Sequence, residues 1–300
     1  MTLPHLKQKW NTLREFARSA TLLRTINFVE NIVERRLEVC RPRSRPIFVD
    51  VILTKACNLN CTFCISSTVE KDRWLDYELY TRIAQKLFPY AYSLLFCSGG
   101  EPLLYPKLRD ALRLADSYGV KTRVVSNGML LGDEICRWMT SDQTLHRYDV
   151  SFDGSTKHTL EKIRRGASFE VVVENVANLA RHKRRKGVKY PRLGLRYAVM
   201  KDNAEDLPGI CRLAKSMGIE TIDVSYVRFA NEMPAANSLY WDQDYAAEIF
   251  RETEAAARQY GIALTLPALP RDDGRPRRCR DPWEFVQIDT DGSIMSMPMR

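Results

Sequence analysis

Apolar residues along this chain follow two rhythms. Six short runs rich in β-branched and aromatic residues, at 47–53, 92–97, 121–126, 148–152, 193–200 and 221–226, have the length of buried strands. Between them, apolar positions recur every three or four residues over 76–88, 106–118, 132–139, 169–185 and 204–217, which predicts helices. Gly119 and Gly218 stand just past two of these, where a C-terminal cap turns left-handed. A strand that returns through a helix comes back parallel to its predecessor, so the pattern predicts an α/β fold with a parallel sheet covered by helices.

The two ends read differently. Leu6, Trp10, Leu13, Phe16 and Ala17, then Leu22, Leu23, Ile26, Val29 and Val33, recur near helical spacing. One or two amphipathic helices are therefore expected in an N-terminal extension over 1–45, ended by Arg41-Pro42-Arg43-Ser44-Arg45-Pro46. Their apolar stripe is expected to pack against the α/β body over 46–228, with contact to a membrane surface as the alternative. The segment 229–300 reads as a further helix and then a strand, an Asp291-Gly292 turn and a returning strand.

Composition adds bounds. The 300 residues are 45% hydrophobic and 28% charged, ordinary for a globular enzyme with a sizeable core. No apolar run approaches a membrane span, so a soluble, cytoplasmic protein is expected. The net charge of +9 is uneven: ten basic residues before the first strand face only Glu15, Glu30, Glu34 and Glu38, and a second block runs from Arg181 to Lys189. Solvated helix faces account for both, and no interleaved aromatic platform argues for nucleic acid.

The chemistry lies in Cys57-Asn58-Leu59-Asn60-Cys61-Thr62-Phe63-Cys64. A cubane iron–sulfur cluster usually takes four thiolates, so three leave one iron open to a ligand that is not protein. Zinc with a fourth ligand from elsewhere is the competing reading, and a disulfide is disfavoured without a secretory signal. After the run Leu94-Leu95-Phe96-Cys97 comes Ser98-Gly99-Gly100-Glu101-Pro102, where glycine allows close approach of backbone to a ligand; alone it would be an ordinary turn.

Together the three-cysteine loop and the Gly-Gly-Glu-Pro turn resemble the radical S-adenosylmethionine (radical SAM) family. The resemblance covers about residues 46–228 and implies a partial (β/α)6 barrel. It also implies one 4Fe-4S cluster on Cys57, Cys61 and Cys64, with S-adenosylmethionine on the open iron. By the same resemblance Gly99, Gly100 and Glu101 lie at the SAM amine, Phe63 near the adenine, and Asn127 of Ser126-Asn127-Gly128 beside the cofactor. Ser151-Phe152-Asp153-Gly154 and Ile163-Arg164-Arg165-Gly166 are similar to the pair found in relatives with a SPASM or twitch extension. There a serine and an arginine hold the SAM carboxylate, which assigns Ser151 and Arg164 and leaves Arg165 as a surface charge.

The tail resembles the opening of such an extension through Cys279-Arg280-Asp281-Pro282-Trp283 and Asp291-Gly292. Its next cysteine is replaced by Met297, so a degenerate or incomplete auxiliary module is expected, with the hairpin packed around Trp283. The family resemblance implies an enzyme that generates a 5′-deoxyadenosyl radical with an electron from a flavodoxin- or ferredoxin-like donor. A peptide or protein substrate is expected, with a sugar or other small molecule as the alternative. A non-catalytic iron–sulfur or zinc module is the reading from another class. No single side chain is singled out as catalytic.

Overall fold

The expected strands and helices assemble on one continuous sheet in a computed structural model, which describes residues 21–64, 72–227, 237–269 and 279–295. In chain order the strands are β1 (Phe48–Val51), β2 (Ser93–Phe96), β3 (Lys121–Ser126), β4 (Arg147–Ser151), β5 (Arg192–Val199), β6 (Thr221–Tyr226), β7 (Ala263–Thr265), β8 (Phe285–Ile288) and β9 (Ile294–Met295). The helices are α1 (Leu22–Arg36), α2 (Tyr77–Leu87), α3 (Leu108–Ser117), α4 (Asp133–Asp142), α5 (Lys157–Ile163), α6 (Phe169–Lys186), α7 (Leu207–Met217), α8 (Gln243–Tyr260) and the short α9 (Asp281–Glu284). Spatial order is β7-β6-β5-β4-β3-β2-β1-β8-β9, and every pairing is parallel except the terminal hairpin β8–β9.

The six strands read from the sequence form the centre, each crossover carrying a helix as parallel pairing requires. Three features escaped the pattern. α5 is too short for its periodicity to show, and β7 extends the β6 edge by only three residues. β8 does form a hairpin with β9, turning at Gly292, but it also lies parallel to β1 over four paired residues. The tail is thereby a continuation of the barrel sheet.

Alternation along the strands separates two faces. Val49, Val51, Leu94, Phe96, Val124, Tyr148, Val150, Leu193, Leu195 and Tyr197 are buried in one hydrophobic core with the covering helices. The intervening positions face the other way and include the polar residues Asp50, Arg123, Arg147, Asp149, Ser151, Arg196 and Asp223. Arg123 of β3 donates to Asp223 of β6, three strands away, at 2.7 Å. In a flat sheet those strands would be roughly 14 Å apart, so the sheet curls and the polar residues line its lumen. Gly194 makes room for them, because a Cβ there would lie 2.0 Å from Asp149 Oδ1.

α1 packs against the barrel with its polar face. Its buried residues are Arg24, Asn27 and Asn31, while Leu22 is 79% and Val29 54% exposed. The expected apolar contact is thus corrected, and the reason lies in the surface underneath. Arg24 donates to the carbonyls of Phe88, Tyr118 and Gly119, the orphan acceptors at the ends of α2 and α3, where a cation also suits both helix dipoles. Asn27 exchanges bonds with the Arg45 backbone, and Asn31 donates to Ser44 and to the Trp283 carbonyl. Leu6, Trp10, Leu13, Phe16 and Ala17 lie outside the described residues.

Candidate functional site

The cysteine loop leaves the C-terminal end of β1 and is fixed by backbone bonds rather than by regular structure. Asn60 N donates to Arg165 O and Thr62 N to Ile163 O, both at 2.9 Å, which zips the loop to the end of α5. Burial raises the Cys57 thiol and pushes Cys61 up to about 11, against the pull of Arg164, and the charges of Cys57 and Cys64 act on Cys61. A bound metal would take the thiolate form of such a group and release its proton to solvent. Among the described residues no three His, Cys, Asp or Glu side chains converge on one metal position.

The Gly-Gly turn supports this loop from below. Gly100 N donates to Thr54 O and Glu101 N to Ala56 O, each at 2.7 Å, and a Cβ on Gly100 would lie 1.9 Å from Ala56 O. Gly99 has a φ of 83°. The glycines are therefore demanded by the backbone approach of the segment that starts the cysteine loop. Glu101 is buried at 2% exposure, and its carboxylate accepts from Leu103 N at 3.0 Å and Asn127 N at 2.7 Å. Its pKa is raised by burial, with those bonds pulling it back. Asn127 passes the link on, donating from Nδ2 to Asn58 Oδ1 at 2.8 Å. Glu101 and Asn127 thus tie the ends of β2 and β3 to the loop that follows β1, a positioning role that the sequence did not disclose.

Arg164 caps α5 directly opposite. Its Nη2 pairs with buried Asp153 at 2.6 Å, its Nη1 lies 3.9 Å from Cys61 Sγ, and its guanidinium sits 5.8 Å from the Phe63 ring centre. Desolvation lowers its pKa, but Asp153 and Cys61 outweigh that and raise it. Its Nε is buried without a hydrogen-bond partner among the described residues. Phe63 packs beside Ile163, Met200 and Val227. Ser151 ends β4 and faces the lumen. Arg165 is exposed, as expected. The predicted residues Cys57, Cys61, Phe63, Glu101, Asn127 and Arg164 therefore share one mouth of the barrel.

Several polar residues of this region went unread. Asp50 is buried on β1 and accepts from Ser98 Oγ at 2.6 Å and Gln287 Nε2 at 2.9 Å. Burial raises its pKa, and the neighbouring Cys97 thiol is pushed up to about 12 by burial and by Asp50. Lys55, two residues before the first cysteine, pairs with Asp289 of the β8–β9 turn at 2.6 Å. Trp283 is bonded to the Val39 carbonyl, so it secures the tail to the chain after α1 instead of centring the hairpin. Cys279 is exposed, and Met297 lies outside the described residues. The one available signal was polar residues at alternate positions in strands whose parallel neighbours should bury both faces.

A parallel, curled β/α sheet with a three-cysteine loop at its C-terminal mouth is the architecture of an iron–sulfur radical enzyme. The Radical SAM superfamily model matches residues 51–214, more than half of the chain, and the chain belongs to that superfamily. It is 28% identical over 180 residues to the tungsten-containing aldehyde ferredoxin oxidoreductase cofactor-modifying protein of Pyrococcus furiosus, covering 58% of this chain and 49% of that protein. It is 24% identical over 260 residues to the PqqA peptide cyclase of Gluconobacter oxydans, covering 84% and 70%. The structure of Streptococcus suis SuiB bound to S-adenosylmethionine superposes with a TM-score of 0.67 at 13% identity, over 84% of this chain and 60% of that one. The chain thus spans about half the length of the first relative. Membership brings a 4Fe-4S cluster and SAM as cofactors, and the residues fit them: the charges of Cys57 and Cys64 reach Cys61, which lies beside an arginine whose Nε lacks a hydrogen-bond partner among the described residues. No described helix is long and apolar enough to cross a membrane.

Proposed function

We propose that this protein is a radical SAM enzyme that modifies a residue of a peptide or protein inside the barrel lumen. The observation that carries the reading is the backbone zipper between 60–62 and 163–165, which sets the cysteine loop against Arg164 at the mouth of the strands. Cys57, Cys61 and Cys64 would hold the cluster. Phe63, Ser151, Arg164, Asn127 and the Gly99-Gly100-Glu101 turn would form the SAM pocket. When bound, this pair supplies a 5′-deoxyadenosyl radical by one-electron reduction of SAM.

The chain's own residues set the geometry. Arg164 presents a planar fork already charged and aimed by Asp153, suited to a carboxylate. Glu101 and Asn127 hold the loop against motion, and the buried Asp50–Ser98–Gln287 network closes the lumen wall behind the Gly-Gly turn. A wall of satisfied polar groups keeps loose water from the reacting carbon. Similarity to a peptide cyclase over most of this chain favours a peptide over a sugar, and a flavodoxin- or ferredoxin-like protein would deliver the electron.

The test is anaerobic incubation of the reconstituted protein with SAM, dithionite and candidate peptides, followed by mass spectrometry. A new peptide mass together with 5′-deoxyadenosine is expected. Product from a small sugar but from no peptide would overturn the substrate class, and no 5′-deoxyadenosine under any condition would overturn the reaction.

A further inference from the structure

Among the described residues, one inward-facing arginine of the barrel lumen, Arg196, makes no ion pair, whereas two others do. Arg123 and Arg147 share Asp149 and Asp223: Arg123 donates to both carboxylates, Arg147 Nε lies 2.7 Å from Asp149 Oδ1, and Arg147 Nη2 lies 2.9 Å from Asp223 Oδ2. These four residues form a satisfied layer deep in the lumen. Arg196 stands one inward step nearer the mouth. It follows Gly194 on the same face of β5, in register with Ser151 of β4 and Asp223 of β6.

Its position within the lumen follows from two neighbours on opposite sides. Its charge favours the ionised form of Cys97, beyond β2, and also that of Asp223 on β6. Yet among the described residues its guanidinium has neither a hydrogen-bond nor an ion-pair partner. Partly screened from solvent and met by the longer-range charge of Asp223, its guanidinium keeps its donors available to an anionic ligand. Its level explains why it is kept there. Ser151, its register neighbour, belongs to the proposed SAM pocket, so Arg196 borders the place where a substrate would meet the cofactor.

We propose that Arg196 anchors a carboxylate of the substrate, either an acidic side chain or the C-terminal carboxylate of a peptide. The guanidinium fork fits a carboxylate bidentately, and Arg164, occupied by Asp153 beside the cysteine loop, remains for SAM. Such an anchor would fix which carbon faces the radical source. This proposal rests on the lumen being the reaction chamber.

Three small probes separate the sources: N-acetylglutamate α-amide carries a side-chain carboxylate, N-acetylglutamine a terminal one, and N-acetylglutamine amide neither. Each is titrated calorimetrically into cluster-loaded, SAM-bound protein. In the native protein at least one acid is expected to bind about tenfold more tightly than the neutral amide, the scale of one charge-assisted hydrogen bond. Arg196→Gln should abolish that preference and Arg196→Lys should retain part of it, with SAM affinity held in both. Equal binding of all three probes, including none at all, overturns the proposal. So does a preference that survives Arg196→Gln, or a matching loss of SAM affinity, which would make the anion the carboxylate of SAM. Formation of 5′-deoxyadenosine by the native protein without peptide checks the underlying reading separately.

Discussion

At the scale of single residues, contacts invisible in the sequence decide what a substitution does. Gly100→Ala places a methyl 1.9 Å from Ala56 O, against backbone that cannot yield without moving the cysteine loop. A loss of roughly 2–4 kcal/mol in urea unfolding, with reduced iron after reconstitution, is expected. Arg164→Ala should weaken SAM binding in equilibrium dialysis by about 1.5–3 kcal/mol, while exposed Arg165→Ala leaves it unchanged. Equal effects at both would remove Arg164 from the pocket. His146 supplies a pH signature: burial, then Lys121 and Lys189, lower its pKa to about 4 from 6.5. The folded protein keeps this imidazole neutral where the unfolded chain protonates it. The associated stability is therefore complete above about pH 6.5 and is lost as pH falls toward 4, by at most ~3 kcal/mol. Unfolding measured at pH 7 and pH 4.5 should show a smaller drop for His146→Gln than for the native protein.

At the scale of elements, α1 shows how periodicity can locate a helix and misassign its buried face. The stripe Leu22, Ile26, Val29 and Val33 predicted the helix correctly, but exposed carbonyls at the ends of α2 and α3 called for donors, and Arg24 supplies them. Arg24→Met should therefore cost about 2 kcal/mol or more in thermal unfolding, since three carbonyls lose their donor. Val29→Ser on the outward stripe should stay within roughly 0.5 kcal/mol. The reverse ranking would show that the apolar face is the packed one.

At the scale of the whole molecule, the described part of the tail, 279–295, continues the barrel sheet. β8 lengthens the sheet beside β1, Asp289 pairs with Lys55 ahead of the cysteine loop, and Trp283 ties both to the segment after α1. With one three-cysteine loop and a solitary exposed Cys279, this 300-residue chain should hold about four irons after anaerobic reconstitution. Iron measured against protein should not change in Cys279→Ala. A value near eight that halves in that variant would establish a second cluster.

The sequence alone determined the order of the six central strands and their longer helices, the family and the candidate ligands, because these depend on local periodicity and on cysteine and glycine spacing. It placed β3 and β6 to the residue, since strand ends coincide with polar punctuation. Only the tertiary structure decided which face of α1 is buried, that β8 pairs with β1, and that Glu101 and Asn127 serve the loop's backbone. It alone brought Arg123, Arg147, Asp149 and Asp223 into one network and left Arg196 beside it. The physical reason is shared by all of these: hydrogen bonds and ion pairs join residues dozens to hundreds of positions apart, and an inward-facing arginine on a curled sheet has the same local pattern as a solvated one.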